Sequence, residues 1–169
     1  QNQTSIKWCR IIGDSQVDLI VINYPNSYLS NLYSFKQIAE FKDVFIANRS
    51  FAELKDKALS LRDLLNYPIL MLDRKSTTSE FLHSLFQKHQ LDLVPEIELS
   101  SNDLLIDLAK IGLGIAFIPD YCVPKDSDDL FVVHTDEVLP TRQLVVVHNE
   151  HVPVSKATLE FLNYFQPIE

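Results

Sequence analysis

The pattern of apolar and polar positions is clearest in residues 100–119, SSNDLLIDLAKIGLGIAFIP. Ser101 or Asn102 can cap a helix there, and Leu104, Leu105, Leu108, Ala109 and Ile111 form one apolar stripe at helical spacing. Gly112 supplies a left-handed stop, Gly114 lets the chain pass close to its neighbours, and the run 115–118 reads as a buried strand that Pro119 ends. The stretch is half of an α/β unit.

Other segments can be set on either side of it. Residues 17–22 are apolar except for Asp18, which predicts a parallel strand buried on both faces. The loop 23–27 follows, and it places Asn23 and Tyr24 at a strand's carboxyl end, where open parallel sheets collect ligands; a plain turn also accounts for it. Alternation in 32–41 predicts a half-exposed strand, and 43–48 predicts a shorter, more buried one. A polar link over 51–66 ends in a short helix, with Ser60 and Asp63 spaced as a capping box. Strands are predicted at 69–72, 96–99, 130–133 and 142–148, and a closing helix at 155–165. Residues 1–12 read as the tail of a helix with Gly13 and Asp14 as its exit.

The most suggestive chemistry lies at Ser76, Thr77, Thr78 and Ser79. Thr77 with Glu80 matches a capping box for a helix whose buried face holds Phe81, Leu82, Leu85 and Phe86. Hydroxyls, helix-start amides and the positive end of the helix dipole meet there, with Arg74 and Lys75 just before them, so the segment can hold an anion. Capping alone explains the same residues about as well. Ser100, Ser101 and Asn102 follow the strand 96–99, face the same cleft and allow the same two readings.

Composition narrows the field. With 169 residues and 46% apolar side chains the chain can bury a core, and one domain with two lobes is the expectation. A formal net charge of -8 argues against this segment gripping nucleic acid by itself. Cys9 and Cys122 stand far apart, with no metal-ligand spacing, and read as two ordinary thiols. The histidines His83, His89, His134, His148 and His151 have no company that fixes a catalytic or ligating role, so no metal and no cofactor is expected. No nucleophile elbow, phosphate loop or dinucleotide fingerprint occurs, and no run is long enough to span a membrane. A cytoplasmic protein that is not an enzyme is the expectation.

The order of strand, polar helix start at 76–79, strand EIELSS and the run LAKIGLGIAFIP resembles the second subdomain of the effector-binding domain of LysR-type transcriptional regulators. The agreement extends from about Val17 to the end of the chain. The resemblance implies an α/β, two-lobed, periplasmic-binding-protein-like fold. Mixed sheets flanked by helices are joined by two crossing strands, the first lobe at about 1–48 and 120–169 and the second at about 49–119. The strand and long helix with which such domains open are not found, and neither is a winged helix-turn-helix.

It also implies function. A small effector, preferably a carboxylate or other anion, binds between the lobes, and the helix start at 76–79 forms part of the pocket. Arg49 stands where such chains cross between lobes and can pair with an anion; Phe117 and Ile118 stand where the chain crosses back and can line the cleft with backbone groups. A solvated arginine and a buried crossover are the plainer alternatives. A homodimer is implied, tetrameric in the full-length protein, with the helix from Thr77 to His89 taking part and DNA read by a module outside this chain. A transport solute-binding protein shares the plan, and a small α/β enzyme is a third reading.

Overall fold

The computed structural model describes residue 12 and residues 17–26, 29, 33–125, 129–149, 152–153 and 155–165. In chain order, β1 (Leu19–Tyr24), β2 (Tyr33–Phe41) and β3 (Asp43–Asn48) lead into a 3-10 turn at Arg49–Leu54. Next come β4 (Ala58–Leu59), α1 (Leu61–Leu64), β5 (Ile69–Leu72), α2 (Thr77–Lys88), β6 (Ile97–Leu99), α3 (Asn102–Lys110) and β7 (Ile115–Pro119). A 3-10 turn at Asp120–Cys122, β8 (Leu130–Thr135), β9 (Arg142–Asn149) and α4 (Lys156–Tyr164) complete the chain. Of the expected N-terminal helix only Ile12 is described; Cys9, Gly13, Asp14, Ser27 and His151 lie outside the described residues.

The chain divides into two compact units, Gln1–Phe41 with Thr141–Glu169, and Lys42–Pro140. β3 and β8 are hydrogen-bonded into the larger unit's sheet.

In the smaller unit the strand order is β1-β9-β2, and both pairings are antiparallel. This corrects the expectation of a parallel strand near 17–22 buried on both faces. Ile20 and Ile22 are buried, whereas Val21 between them is 42% exposed, the alternation of a strand with one covered face. Ile12, Ile20, Ile22, Val145 and Val147 form this unit's core. Ser155 caps α4 by accepting from the Thr158 N–H, and the Thr158 hydroxyl donates to Asp18 Oδ2 at 2.9 Å.

The larger unit has a six-stranded sheet ordered β4-β8-β3-β7-β5-β6. β5 is parallel to both β6 and β7, and β3 is antiparallel to β7 and β8. Alternate residues of its central strands feed two cores. Phe45, Ile69, Met71 and Phe117 pack with Leu82, Leu85 and Phe86 of α2, while Ile46, Leu70, Ala116 and Ile118 pack with Leu105, Ile106 and Ala109 of α3. A helix on each face explains why 69–72 and 115–118 are apolar without a break.

Local chemistry sets the helix ends. Ser60 and Asp63 form the predicted capping box. α2 begins one residue earlier than a Thr77 cap would have it: Ser76 is the N-cap and its Oγ accepts from the Ser79 N–H at 3.0 Å. Gly112 ends α3 at φ +81°, a left-handed conformation that favours glycine. The two-residue β4 falls inside what reads as a polar link and the 3-10 turn at Arg49–Leu54 overlaps its start, and neither carries a periodic signal.

Candidate functional site

The larger sheet contains a point at which its connections diverge. β5 and β7 are parallel neighbours; the chain leaves β5 through α2 toward β6, but leaves β7 toward the β8 side. Their ladder runs through Ile69–Ile115 and Leu70–Ala116 and stops, although β5 continues to Leu72 and β7 to Pro119. Adjacent strands whose outgoing connections part leave a crevice at their carboxyl ends, the usual ligand position in open α/β sheets.

The start of α2 stands at that end. Thr77, Thr78 and Ser79 are buried, Thr77 and Thr78 taking part in further polar or ring contacts, and Ser76 spends its hydroxyl on the cap. Among the described residues the Ser79 Oγ has no hydrogen-bond partner. The approach to the helix is fixed: the Asp73 N–H donates to Leu99 O at 2.8 Å, and the Lys75 N–H donates to Asp73 Oδ1 at 3.0 Å. Arg74 pairs with Glu98 of β6 at 3.7 Å. One turn into α2, burial and then the Arg74 charge hold His83 below its ordinary pKa, opposed by Glu98 and Asp92.

The start of α3, at the end of β6, is different. Ser101 is its N-cap residue but makes no side-chain cap bond, and Ser100 beside it is exposed. Asn102 Nδ2 donates to Cys122 Sγ at 3.6 Å, while its Oδ1 is buried with no partner among the described residues. Burial, and after it the charges of Asp103, Asp43 and Asp120, push the Cys122 thiol up to about 11. Three carboxylates thus act on Cys122, which Asn102 at the start of α3 contacts, whereas two cations precede α2. An anion is favoured at α2; a donor such as a hydroxyl or ammonium is favoured at α3.

Cys122 and the buried Asp43 carry no expectation of a place in the site from sequence, whereas Asn102 does. Asp43 merely precedes an apolar run, and a single acid before a strand carries no signal of burial.

Arg49, Phe117 and Ile118 also belong to the larger unit. The side chains of Phe117 and Ile118 are fully buried in the two cores and their strand pairs with β3, while their backbone lies beyond the last β5–β7 pair, on the side of the crevice. Arg49 lies at the other end of α3: the adjacent Asn48 Nδ2 donates to Lys110 O at 2.7 Å, about 13 Å along the helix from Ser101. Arg49 itself is exposed and pairs loosely with Asp129 at 4.0 Å. Asn23 and Tyr24 belong to β1 of the smaller unit, opposite Leu144 and Gln143, and the Tyr24 ring stacks on Phe35 at 4.9 Å. The loop expected to begin at Asn23 begins only after Tyr24.

Known proteins extend this description. A sequence model of the LysR substrate binding domain matches residues 7–167. The HTH-type transcriptional activator CmpR of Synechocystis sp. is 26% identical over 149 residues, which cover 87% of this chain and 48% of that protein. The chain therefore spans about half the length of the curated relatives it matches. Among solved structures, the CcmR regulatory domain of Synechocystis PCC6803 in complex with 2-PG superposes with a TM-score of 0.85 at 19% identity, over 96% of this chain and 78% of that one. The effector binding domain of QuiR in complex with shikimate gives 0.82 at 14% identity, over 96% and 76%. These chains share the same fold.

Proposed function

The chain belongs to the LysR substrate binding domain family, and from that premise we propose that it is the effector-sensing part of a DNA-binding transcription regulator acting in the cytoplasm. The carrying observation is that the α2 and α3 starts both stand at the carboxyl end of the parallel strands β6, β5 and β7, where β5 and β7 part. Ser76, Thr77, Thr78 and Ser79 take the anionic group of a small effector, with Arg74 and Lys75 supplying positive potential. Ser100 and Ser101, backed by Asp43, Asp103 and Asp120, take its donors. The backbone groups of Phe117 and Ile118 line the crevice, and Arg49, at the other end of α3, stands away from it. Asn23 and Tyr24 remain candidates on the smaller unit.

A sensor works by differential binding and needs no turnover. The transport alternative loses support because the relative CmpR is named as a transcriptional activator. DNA contact belongs to sequence outside this chain. A homodimer is part of the proposal, but α2 offers it little: Glu80, Ser84, Gln87 and Lys88 on its exposed side are polar. α3 offers more, with Leu104 53% and Ile111 70% exposed.

The test uses 2-PG and shikimate as probes, each titrated into the chain while its melting temperature and amide NMR spectrum are followed. A saturable rise in melting temperature with shifts at residues 76–79 and 100–102 supports the reading. Shifts confined to other segments count against it.

A further inference from the structure

We propose that the larger unit carries a second ligand site, at its β4–β8 edge, for the zwitterion of a free α-amino acid with an apolar side chain. β3 separates this edge from the β5–β7 crevice, and the inference does not rest on the effector reading.

The site is a concavity of about 250 Å³ lined by Leu61, Arg62, His89, Leu91, Asp136 and Glu137. Its frame is fixed by hydrogen bonds. β4 and β8 run parallel with Leu59 beside Thr135, the Asp136 N–H donates to Leu59 O at 2.9 Å, and the Thr135 hydroxyl donates to Glu137 O at 2.8 Å. On the other wall the Ser60–Asp63 capping box holds the turn that carries Leu61 and Arg62. Neither wall depends on a ligand to be in place.

The lining combines three chemistries. Leu61 is buried and Leu91 half-buried, which gives an apolar floor. Arg62 and Asp136 carry opposite charges on the same cavity, yet neither joins an ion pair among the described residues. Both side chains are exposed, so their charges are available to a ligand. Glu137 adds a second carboxylate, steadied by His89 Nε2 at 3.5 Å from its Oε2.

A free amino acid satisfies this lining as a purely anionic or purely cationic ligand does not. Its carboxylate meets the planar fork of Arg62, its ammonium meets Asp136 and Glu137, and its side chain covers Leu61 and Leu91. The volume suits one small amino acid.

Leucine is the probe, titrated into the isotope-labelled chain with amide shifts as the readout. Saturable shifts confined to residues 60–62, 89–91 and 135–137 are expected. N-acetyl-leucine, which lacks the ammonium, leucinamide, which lacks the carboxylate, and glycine, which lacks the side chain, should each bind at least about tenfold more weakly. Arg62→Ala and Asp136→Asn, both at exposed positions, should each weaken leucine by a similar factor with the rest of the spectrum unchanged. No saturable shift with leucine, equal binding of leucine and any one of the three analogues, or unaltered leucine binding in both variants would overturn the assignment.

Discussion

Thr77 and Thr78 are buried threonines in the first turn of α2, and Ser76 already provides the cap, so their hydroxyls are not needed to begin the helix. Replacing both by valine keeps the branched shape. It should weaken whichever of 2-PG or shikimate binds by about 1–3 kcal/mol in calorimetry, with the circular dichroism unchanged. Ser76→Ala should behave differently, losing about 1 kcal/mol of stability in urea titration through the missing cap. Unaltered affinity in the double valine variant would remove α2's start from the site. Cys122 supports a second prediction at this scale. Its thiol is pushed from the ordinary 9.0 up to about 11, so between pH 8 and 9 it is almost wholly protonated and should alkylate much more slowly than a model thiol. The rate should climb steeply only toward pH 11, as followed by mass spectrometry of the peptide that contains it. Asp103→Asn and Asp120→Asn should move that climb to lower pH, because each removes a charge that opposes the thiolate.

The elements divide between those that sequence makes legible and those it does not. α3 and β7 follow directly from the stripe 104–111, the glycines and the run 115–118, because both faces of that strand are covered and the helix has one apolar side. The parallel strand expected near 17–22 fails for the same kind of reason: a short apolar run does not say whether one face or two will be covered, and in β1 it is one. The stripe of α3 is also wider than its core contact requires. Leu105, Ile106 and Ala109 are buried, which leaves Leu104 and Ile111 outward. Leu104→Glu with Ile111→Glu should leave the melting temperature within a few degrees and shift sedimentation from dimer to monomer; a wild-type chain that is already monomeric at high concentration would remove α3 as the dimer face. α4 carries a pH dependence of known sign. Hydrogen bonds from Thr158 and then Ser155 hold Asp18 below its ordinary 3.8, so its contribution is present above that value and is lost as pH falls through the lower folded value. Asp18→Asn should therefore remove the acid-linked part of α4's loosening below about pH 4, read by hydrogen exchange of α4 amides.

For the molecule as a whole, the fold class was legible because order and spacing of elements survive where individual residues do not; the candidate site was legible only in part. Ser76–Ser79 and Ser100–Ser101 announce themselves as polar clusters at helix starts, and the sheet order places both starts at the carboxyl end of its parallel strands. Arg49 was expected in the site because it follows a crossing strand, but the direction of β3, antiparallel to β7, carries it to the other end. Strand direction is a property of the completed sheet and cannot be read from one residue. The total charge bears on what this chain can do without further sequence. At -8, with carboxylates gathered about Cys122, the chain repels a phosphate backbone, and no counterion release compensates. It should therefore leave a labelled DNA duplex unshifted in a mobility assay even at low salt, with and without 2-PG or shikimate. Retention of DNA that weakens as salt rises would require a basic surface on this chain, and DNA contact would then have to be assigned to the sensing domain itself.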